Sequence, residues 1–493
     1  MKTGQRIIRN SFYGVASQAI GGGLFFFVAL LMARHLGPEN FGTFSFVFAF
    51  VTVFHMLADF GITNILVRDI ARAKEKVDRI LGACIPLVTL LAFSGYVLII
   101  LSVQLLNLAP DTELAMYIMG ATVLLTFHAA VYGSVCRAFE EMEYNAVGLV
   151  LQRVILLIFT IIALYMDAGL PGLALCYFGE RFAQWVFFYI LVRKRYSQYV
   201  WRKDVEYWRY LIREGLPIGA GMVLKRVSWH VDIFVLTALS TASSVGLFSA
   251  AYRIIQMISV IPFTLSMPVF PALSRLAQES PEKAYTLYTR VQKILMLIGL
   301  PIGLWVLVLG SQIIVLLFGE DYQAGGITLQ VMGLVVVFLF MNSLFVYLFS
   351  ALDRQMLYMS SVGGSVLLNL VLDILLIPHF DILGAALATL CAEAVLFISS
   401  AILLSRLGLP RTFLRLLLKP VVVTVLAGGV LLWPLYSPSL TSLITGSVGF
   451  FVLYMLMVYK WRVLSQDEIS QLLAAMPKKG KKNSSSGDKG EDK

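Results

Sequence analysis

Gly42-Thr43-Phe44-Ser45 returns 204 residues later as Gly246-Leu247-Phe248-Ser249, and the echo extends on both sides. At the same offset Arg9 meets Arg213 and Ala16 meets Ala220. Further along, Arg79 matches Lys293, Pro86 matches Pro301, Gly120 matches Gly333 and Ala138 matches Ala351. Gly172-Leu173-Ala174-Leu175 then matches Gly384-Ala385-Ala386-Leu387. The offset drifts only between 204 and 215. Common order and near-constant spacing predict a chain built twice from one plan.

What is duplicated is apolar. Hydrophobic residues make up 59% of the chain, charged residues 14%, and the mean hydropathy is +0.82. A soluble domain carries roughly 25% charge. Apolar runs of about 20 residues, each long enough to cross about 30 Å of hydrocarbon, follow one another along nearly the whole chain. The first, 12–33, has no small-residue cleavage site behind it and reads as a retained span. Hydropathy predicts an all-α polytopic membrane protein with about 14 transmembrane helices, at 10–34, 43–66, 80–106, 114–137, 145–166, 171–193, 214–239, 244–271, 294–318, 326–351, 357–378, 382–405, 420–436 and 440–460. Two parallel six-helix repeats would then form lobes at 1–200 and 201–405. Helices 13 and 14 lie within 406–465, and a Lys-, Ser- and Gly-rich tail at 466–493 reads as disordered and cytoplasmic. Residues 193–213, basic and aromatic, read as an interfacial linker between the lobes.

Orientation follows from Lys and Arg. Of 39, 33 fall at the N-terminus or after even-numbered helices, and the other connections hold only Arg34. The asymmetry predicts cytoplasmic termini, in a membrane whose inner leaflet is anionic. Six helices per repeat make both repeats start on the same side. Parallel duplicated bundles are mostly transporters, with the path between the halves.

Enzyme chemistry has no home here. The outer connections are short, and no Walker loop, HExxH, GxSxG or carboxylate-rich soluble segment occurs. Cys84, Cys136, Cys176 and Cys391 have no metal-site spacing and read as small buried hydrophobes. No soluble basic domain offers a nucleic-acid surface. No catalytic residue, metal or cofactor is expected.

The informative residues are charges inside apolar runs, which are expensive and mark cavities or pairs. Gly221, Lys225, Ser228 and Asp232 share one face of the 214–239 helix. Lys225 and Arg226 are adjacent cations that one Asp232 cannot neutralise, so they read as facing water and an anion. Arg253, Arg153 and Asp232 are further substrate-binding candidates. Glu180–Arg181, Asp373 and Glu393 read as structural pairs, with Asp373 near an outer interface. His55 and Asp59, one turn apart, are gating or coupling candidates, and a plain hydrogen bond between helices is the alternative for His55. Gly21 and Gly22 sit at the repeat positions of Lys225 and Arg226, where glycine allows close packing or a flexible cavity wall. His128 reads as a helix-packing histidine.

Residues 33–46 (ARHLGPENFGTFSF), 57–72 (LADFGITNILVRDIAR), 246–277 (GLFSAAYRIIQMISVIPFTLSMPVFPALSRLA) and 384–394 (GAALATLCAEA) resemble the polysaccharide flippases of the multidrug/oligosaccharidyl-lipid/polysaccharide exporter superfamily, and the resemblance covers nearly all of 5–465. It implies two six-helix lobes around a central cationic cavity. The activity it implies is export of undecaprenyl-pyrophosphate-linked sugar units across the bacterial inner membrane by alternating access. Asp59 and Gly61 fall in the segment it places near the cytoplasmic gate, and Tyr252 and Arg253 in its AAYR segment. Lipid II flippases and cation-coupled drug exporters of the same superfamily are the alternatives. Coupling to H+, Na+ or the membrane potential stays open. The expected partners are the lipid-linked oligosaccharide, membrane lipid, and the polymerase and glycosyltransferases of the same pathway.

Overall fold

The computed structural model describes residues 3–463 apart from 60, 228, 409–412 and 437–438; within that span the side chains of 3–12, 15, 56–58, 217, 218, 220–227 and 413–417 lie outside the description. The expected tail at 466–493 is also outside the described residues.

Helix α1 (Thr3–Asp59) is 57 residues long and is bent at one point, where Gly37 takes φ 71° and ψ 174° just before Pro38. Only glycine adopts that φ without strain, and Pro38 removes a helical donor. The two arms fold back on each other. The Phe25 and Phe48 rings lie 5.7 Å apart, whereas 23 residues of straight helix would separate them by about 35 Å. The expected helices one and two are therefore a hairpin, and the connection between them is helical except at its hinge.

The rest is also helical: α2 (Ile62–Arg72), α3 (Val77–Gln104), α4 (Pro110–Ala138), α5 (Met142–Tyr165), α6 (Gly169–Arg195), α7 (Val205–Val227), α8 (Val231–Leu239), α9 (Ala242–Ser266), α10 (Phe270–Glu279), α11 (Pro281–Phe318), α12 (Gly326–Asn342), α13 (Phe345–Ala351), α14 (Gln355–Phe380), α15 (Ile382–Arg406), α16 (Phe413–Gly428), α17 (Leu432–Tyr436) and α18 (Leu440–Lys460). Packing recurs between the halves. Helix α3 packs on α4, α4 on α6 and α5 on α6; likewise α11 packs on α12, α12 on α15 and α14 on α15.

The halves meet where α1 crosses α9, at the motif that opens the repeat. A Cβ on Gly42 would lie 1.8 Å from the Ala242 carbonyl oxygen, and one on Gly246 would lie 1.8 Å from the Pro38 carbonyl oxygen. Gly42 and Gly246, like Pro38 and Ala242, stand 204 residues apart, so the contact is reciprocal, as at a two-fold interface. Beside it, Arg34 donates from Nε to the Leu317 carbonyl and from Nη2 to the Leu316 carbonyl, each at 2.5 Å. The lone cation of the opposite-side connections thus caps the C-terminus of α11. At this end the two halves are in direct backbone contact.

Helices α16 and α18 pack against α11. Trp305 donates to Ser447 at 2.9 Å and Tyr454 to the Leu297 carbonyl at 2.8 Å. The linker is strapped to α3: Arg202 N–H donates to the Gly82 carbonyl at 2.9 Å and Trp208 Nε1 to the Ala83 carbonyl at 2.6 Å.

Among the described residues, eleven helical segments are long and apolar enough to cross a membrane. The difference from fourteen falls in three places. The two arms of α1 form one segment, Ala16–His55. Helix α6 is absent from that set, and it carries Glu180 and Arg181. The expected 214–239 helix is broken, with α7 ending at Val227, a turn at 229–230, and α8 beginning at Val231. Lys225 and Asp232 therefore do not lie on one uninterrupted helix. Two of these places are where the chain spends apolarity on polar, inward-facing groups.

Candidate functional site

Between α1, α4, α5, α6 and α9 lies a cavity of about 410 Å³, reaching from Phe25 and Phe48 down to Asp59, Gly61 and Gly219. Three guanidinium groups line it. Arg153 on α5 approaches Glu180 Oε2 at 3.6 Å, and Arg181 on α6 approaches Glu180 Oε1 at 3.4 Å. Gln152 donates to Glu180 Oε1 at 3.0 Å. Arg153 stacks over Phe25 at 4.4 Å from the ring centre.

Arg253, on α9, is 8% exposed. It lies 5.1 Å from the Phe25 ring centre and 5.0 Å from that of Phe48, and donates to Gln256 Oε1 at 3.3 Å. Among the described residues it has no carboxylate partner. Three cations against two carboxylates, Glu180 beside the arginines and Asp59 in the lining, leave an excess of one positive charge in an aromatic surround. A buried unpaired charge costs several kcal/mol, and an anion entering the cavity would recover part of that through charge-assisted, bidentate bonds.

The structure thus brings Arg153 and Arg253 together. Lys225 and Arg226 lie outside the residues whose side chains are described. Arg181 joins the cavity although its sequence reads as Glu180's structural partner. The signal was available: one carboxylate cannot balance two arginines. Gly21 seats α1 on α5, where its missing Cβ would stand 3.3 Å from Leu149 and 3.8 Å from Arg153 Cγ. Gly22 faces Val260 at 4.0 Å.

His55 and Asp59 both line the cavity, but they do not bond to each other. His55 Nε2 pairs with Thr122 Oγ1 at 2.9 Å. Asp59 accepts from Thr63 N–H at 3.2 Å and Thr63 Oγ1 at 3.0 Å, which ties the end of α1 to the start of α2. His128 is a packing residue, held by Thr89 at 2.9 Å and the Leu124 carbonyl at 2.6 Å.

Asp232 belongs elsewhere. It is buried at the start of α8, accepts from Asn369 Nδ2 at 3.1 Å and from Thr389 at 3.4 Å, and faces the carboxyl of Asp373. Asp373 is 0% exposed rather than interfacial, and neither of its oxygens has another partner among the described residues. Two apposed buried carboxyls repel unless a proton or a small cation stands between them. Asn369 and Thr389 both donate to Asp232, so the cluster still lacks the proton or small cation that would stand between the two carboxyls. Asp232 is therefore part of an acidic second region, separate from the arginines.

The model of one family, described as polysaccharide biosynthesis protein, matches residues 7–277. The chain belongs to that family. Over 96% of its length it is 21% identical to an uncharacterized membrane protein of Methanocaldococcus jannaschii, covering 99% of that protein. Over 76% it is 23% identical to a protein of Shigella flexneri described as an O-antigen transporter, covering 90% of it. The fold is that of the lipid II flippase MurJ in an inward closed conformation, with a TM-score of 0.76 at 15% identity, across 92% of this chain and 99% of that one.

Proposed function

We propose that this protein is a flippase of the cytoplasmic membrane that carries polyprenyl-pyrophosphate-linked oligosaccharide, of the undecaprenyl type, to the outer leaflet by alternating access. The observation that carries the reading is the convergence of Arg153, Arg181 and Arg253 on one cavity with Glu180 as counterion. Membership of the polysaccharide biosynthesis family and the transporter and flippase relatives support it. In this reading the arginines take the pyrophosphate. Arg253 is free to bind it bidentately, while Glu180 holds Arg153 and Arg181 in place. A cation-exporting cavity would not be lined with arginines. Lipid II, itself a pyrophosphate-linked sugar, remains within the same chemistry.

The halves act as two parallel six-helix lobes, 1–200 and 201–405, with 406–465 outside the repeat. The reciprocal glycine crossing between Gly42 and Gly246 supports this. With both termini cytoplasmic, as the distribution of Lys and Arg supports, the end where α1 crosses α9 faces outward and the arginine cavity opens inward past Asp59 and Gly61. The polyprenyl tail stays in the bilayer. An inside-negative potential favours outward movement of the anion by roughly 2.3 kcal/mol per charge per 100 mV. The cluster of Asp232, Asn369, Asp373 and Thr389 supports additional coupling to H+ or Na+, and Lys225 and Arg226 are further substrate contacts.

The test is transport of a fluorescent polyprenyl-pyrophosphate oligosaccharide in proteoliposomes. Arg253→Met should lower the rate by at least 100-fold, and Arg253→Lys by about tenfold, since charge without the bidentate fork recovers part of the contact. Full transport by a stably folded Arg253→Met protein would refute the pyrophosphate site.

A further inference from the structure

Residues 196–204, which join α6 to α7, are laid across the start of α3 and held there. Asp78 accepts from Ser197 Oγ at 2.5 Å and from the Gln198 N–H at 3.0 Å. The Gly82 and Ala83 carbonyls accept from the Arg202 N–H and from Trp208 Nε1. A Cβ on Gly82 would stand 2.3 Å from the Val200 carbonyl oxygen, so only glycine lets the strap approach this closely. With the backbone fixed on one side, the side chains that turn to the other are fixed too. Val200 is 71% exposed and Trp201 63%.

Helix α7 continues that surface. Leu211 is buried, and Tyr207 and Trp208 bond inward to Asp69 and Ala83. Val205, Arg209, Ile212 and Leu216, at helical spacing, form an exposed stripe. Four exposed cations, Arg202, Lys203, Arg209 and Arg213, stand among these apolar groups. Of the nearby carboxylates, Asp204 faces Arg79 and Glu214 faces Arg68, each at 3.8 Å, and Glu206 is exposed. Positive charge is in surplus: over 193–216 and the adjoining 68–79, twelve Lys and Arg stand against six Asp and Glu.

Tryptophan and valine held out into water are unfavourable, and an apolar patch rimmed by charge marks a contact surface. The level of the patch identifies the contact. The apolar stretch of α3 begins at Ile80, just before the Gly82 carbonyl to which the strap is bonded. The strap therefore lies at the edge of the hydrocarbon. Indole rings settle at that level, and so do the long stems of arginine and lysine with their charged ends toward the headgroups. A zwitterionic headgroup cancels its own phosphate. A surplus of cations matches a headgroup with net negative charge.

We propose that residues 200–216 present a docking surface for an anionic phospholipid of the leaflet on this side of the molecule. Trp201 enters the interface, and Arg202, Lys203, Arg209 and Arg213 meet the headgroup phosphates. The occupant is a resident membrane lipid and not the transported one, so the inference is independent of the flippase reading.

The test uses the whole chain in phosphatidylcholine vesicles with no transported substrate present. The signal is the part of the tryptophan emission that is lost in Trp201→Phe. Phosphatidylglycerol carrying bromine on its acyl chains should quench it at a roughly tenfold lower mole fraction than equally brominated phosphatidylcholine. Salt at about 1 M should close most of that gap, because exposed charges are then screened. Replacing Arg202, Lys203, Arg209 and Arg213 together by Gln should close it at low salt. Quenching by brominated phosphatidylcholine should persist in that variant, which shows that its strap is still docked. If neither lipid quenches the unsubstituted protein, Trp201 does not touch the bilayer and the surface is wrong. If both quench equally at low salt, the surface does not select charge and the proposal is overturned. If a soluble oligoglutamate protects Trp201 from iodide where phosphatidylglycerol does not, the occupant is an acidic protein segment, which overturns it as well.

Discussion

Arg181 stands nine residues after Gly172, and Glu393 nine residues after Gly384. By the register of the repeat they are the same position on α6 and α15, and each lines its own half's cavity. One half puts a cation there, the other an anion. The preceding positions tell the same story. In the first half, Glu180 is clamped by Arg153 at 3.6 Å; in the second, the backbone carbonyl of Ala392 accepts from Ser365 at 2.8 Å. The same helix-to-helix contact is ionic in one half and neutral in the other. The scaffold is set by glycines and apolar packing, so polarity can be rewritten on it without moving the helices.

The largest effect should come from the ionic version of that contact. Glu180→Leu leaves Arg153 and Arg181, both half-buried, without their shared carboxylate and should cost about 3 kcal/mol, the low end for a broken buried pair, read as a drop in thermal unfolding temperature in detergent. Adding Arg153→Met should restore part of the loss. If Glu180→Leu is neutral, the arginines are solvated and the excess-charge argument fails.

Next is the crossing that the two halves share. Gly42→Ala and Gly246→Ala each drive a methyl into a backbone carbonyl, and each should cost about 1–3 kcal/mol. Because the contact is reciprocal, the two should cost nearly the same. Both should also increase labelling of a cysteine placed at Ser45, as that crossing loosens. A large difference between the two would break the symmetry.

The acidic cluster should respond to ions where the arginine cavity does not. If Asp232 and Asp373 hold Na+, added NaCl should raise the unfolding temperature above the effect of the same concentration of choline chloride. That increment should vanish in Asp373→Asn. An increment retained in the variant would remove Asp373 from the ion site.

The smallest effect belongs to the neutral counterpart of Glu180. Ser365→Ala removes one hydrogen bond to a backbone carbonyl and should cost about 1 kcal/mol or less, measured by the same unfolding assay. A loss as large as that of Glu180→Leu would mean that the two halves do not differ as their polarity suggests.

Much of this was legible in the sequence. The apolar runs made a helical membrane protein the expected class, because backbone groups in hydrocarbon must bond within their own segment. The recurring glycine motif falls where α1 crosses α9, because only a residue without Cβ permits that approach. Arg153 and Arg253 were recognisable as cavity cations because a charge in a span needs a reason. What the sequence did not reveal is which charges meet. Glu180 and Arg181 do pair, but Arg153 joins them from another helix; Asp232 looked like a partial counterion of Lys225 and Arg226, and His55 and Asp59 looked like a pair one turn apart. Each pairing is decided by which helix packs opposite, as in Arg153–Glu180, His55–Thr122 and Asp232–Thr389, and no local pattern encodes those contacts. The break between α7 and α8 and the fold-back of α1 at Gly37 turn side chains into different cavities. Composition determined that this chain would be a helical membrane protein with buried charge. Only the tertiary structure sorted that charge into a cationic region and an acidic one, because Coulomb energies at a few ångströms in low dielectric depend on distance in space and not on distance along the chain.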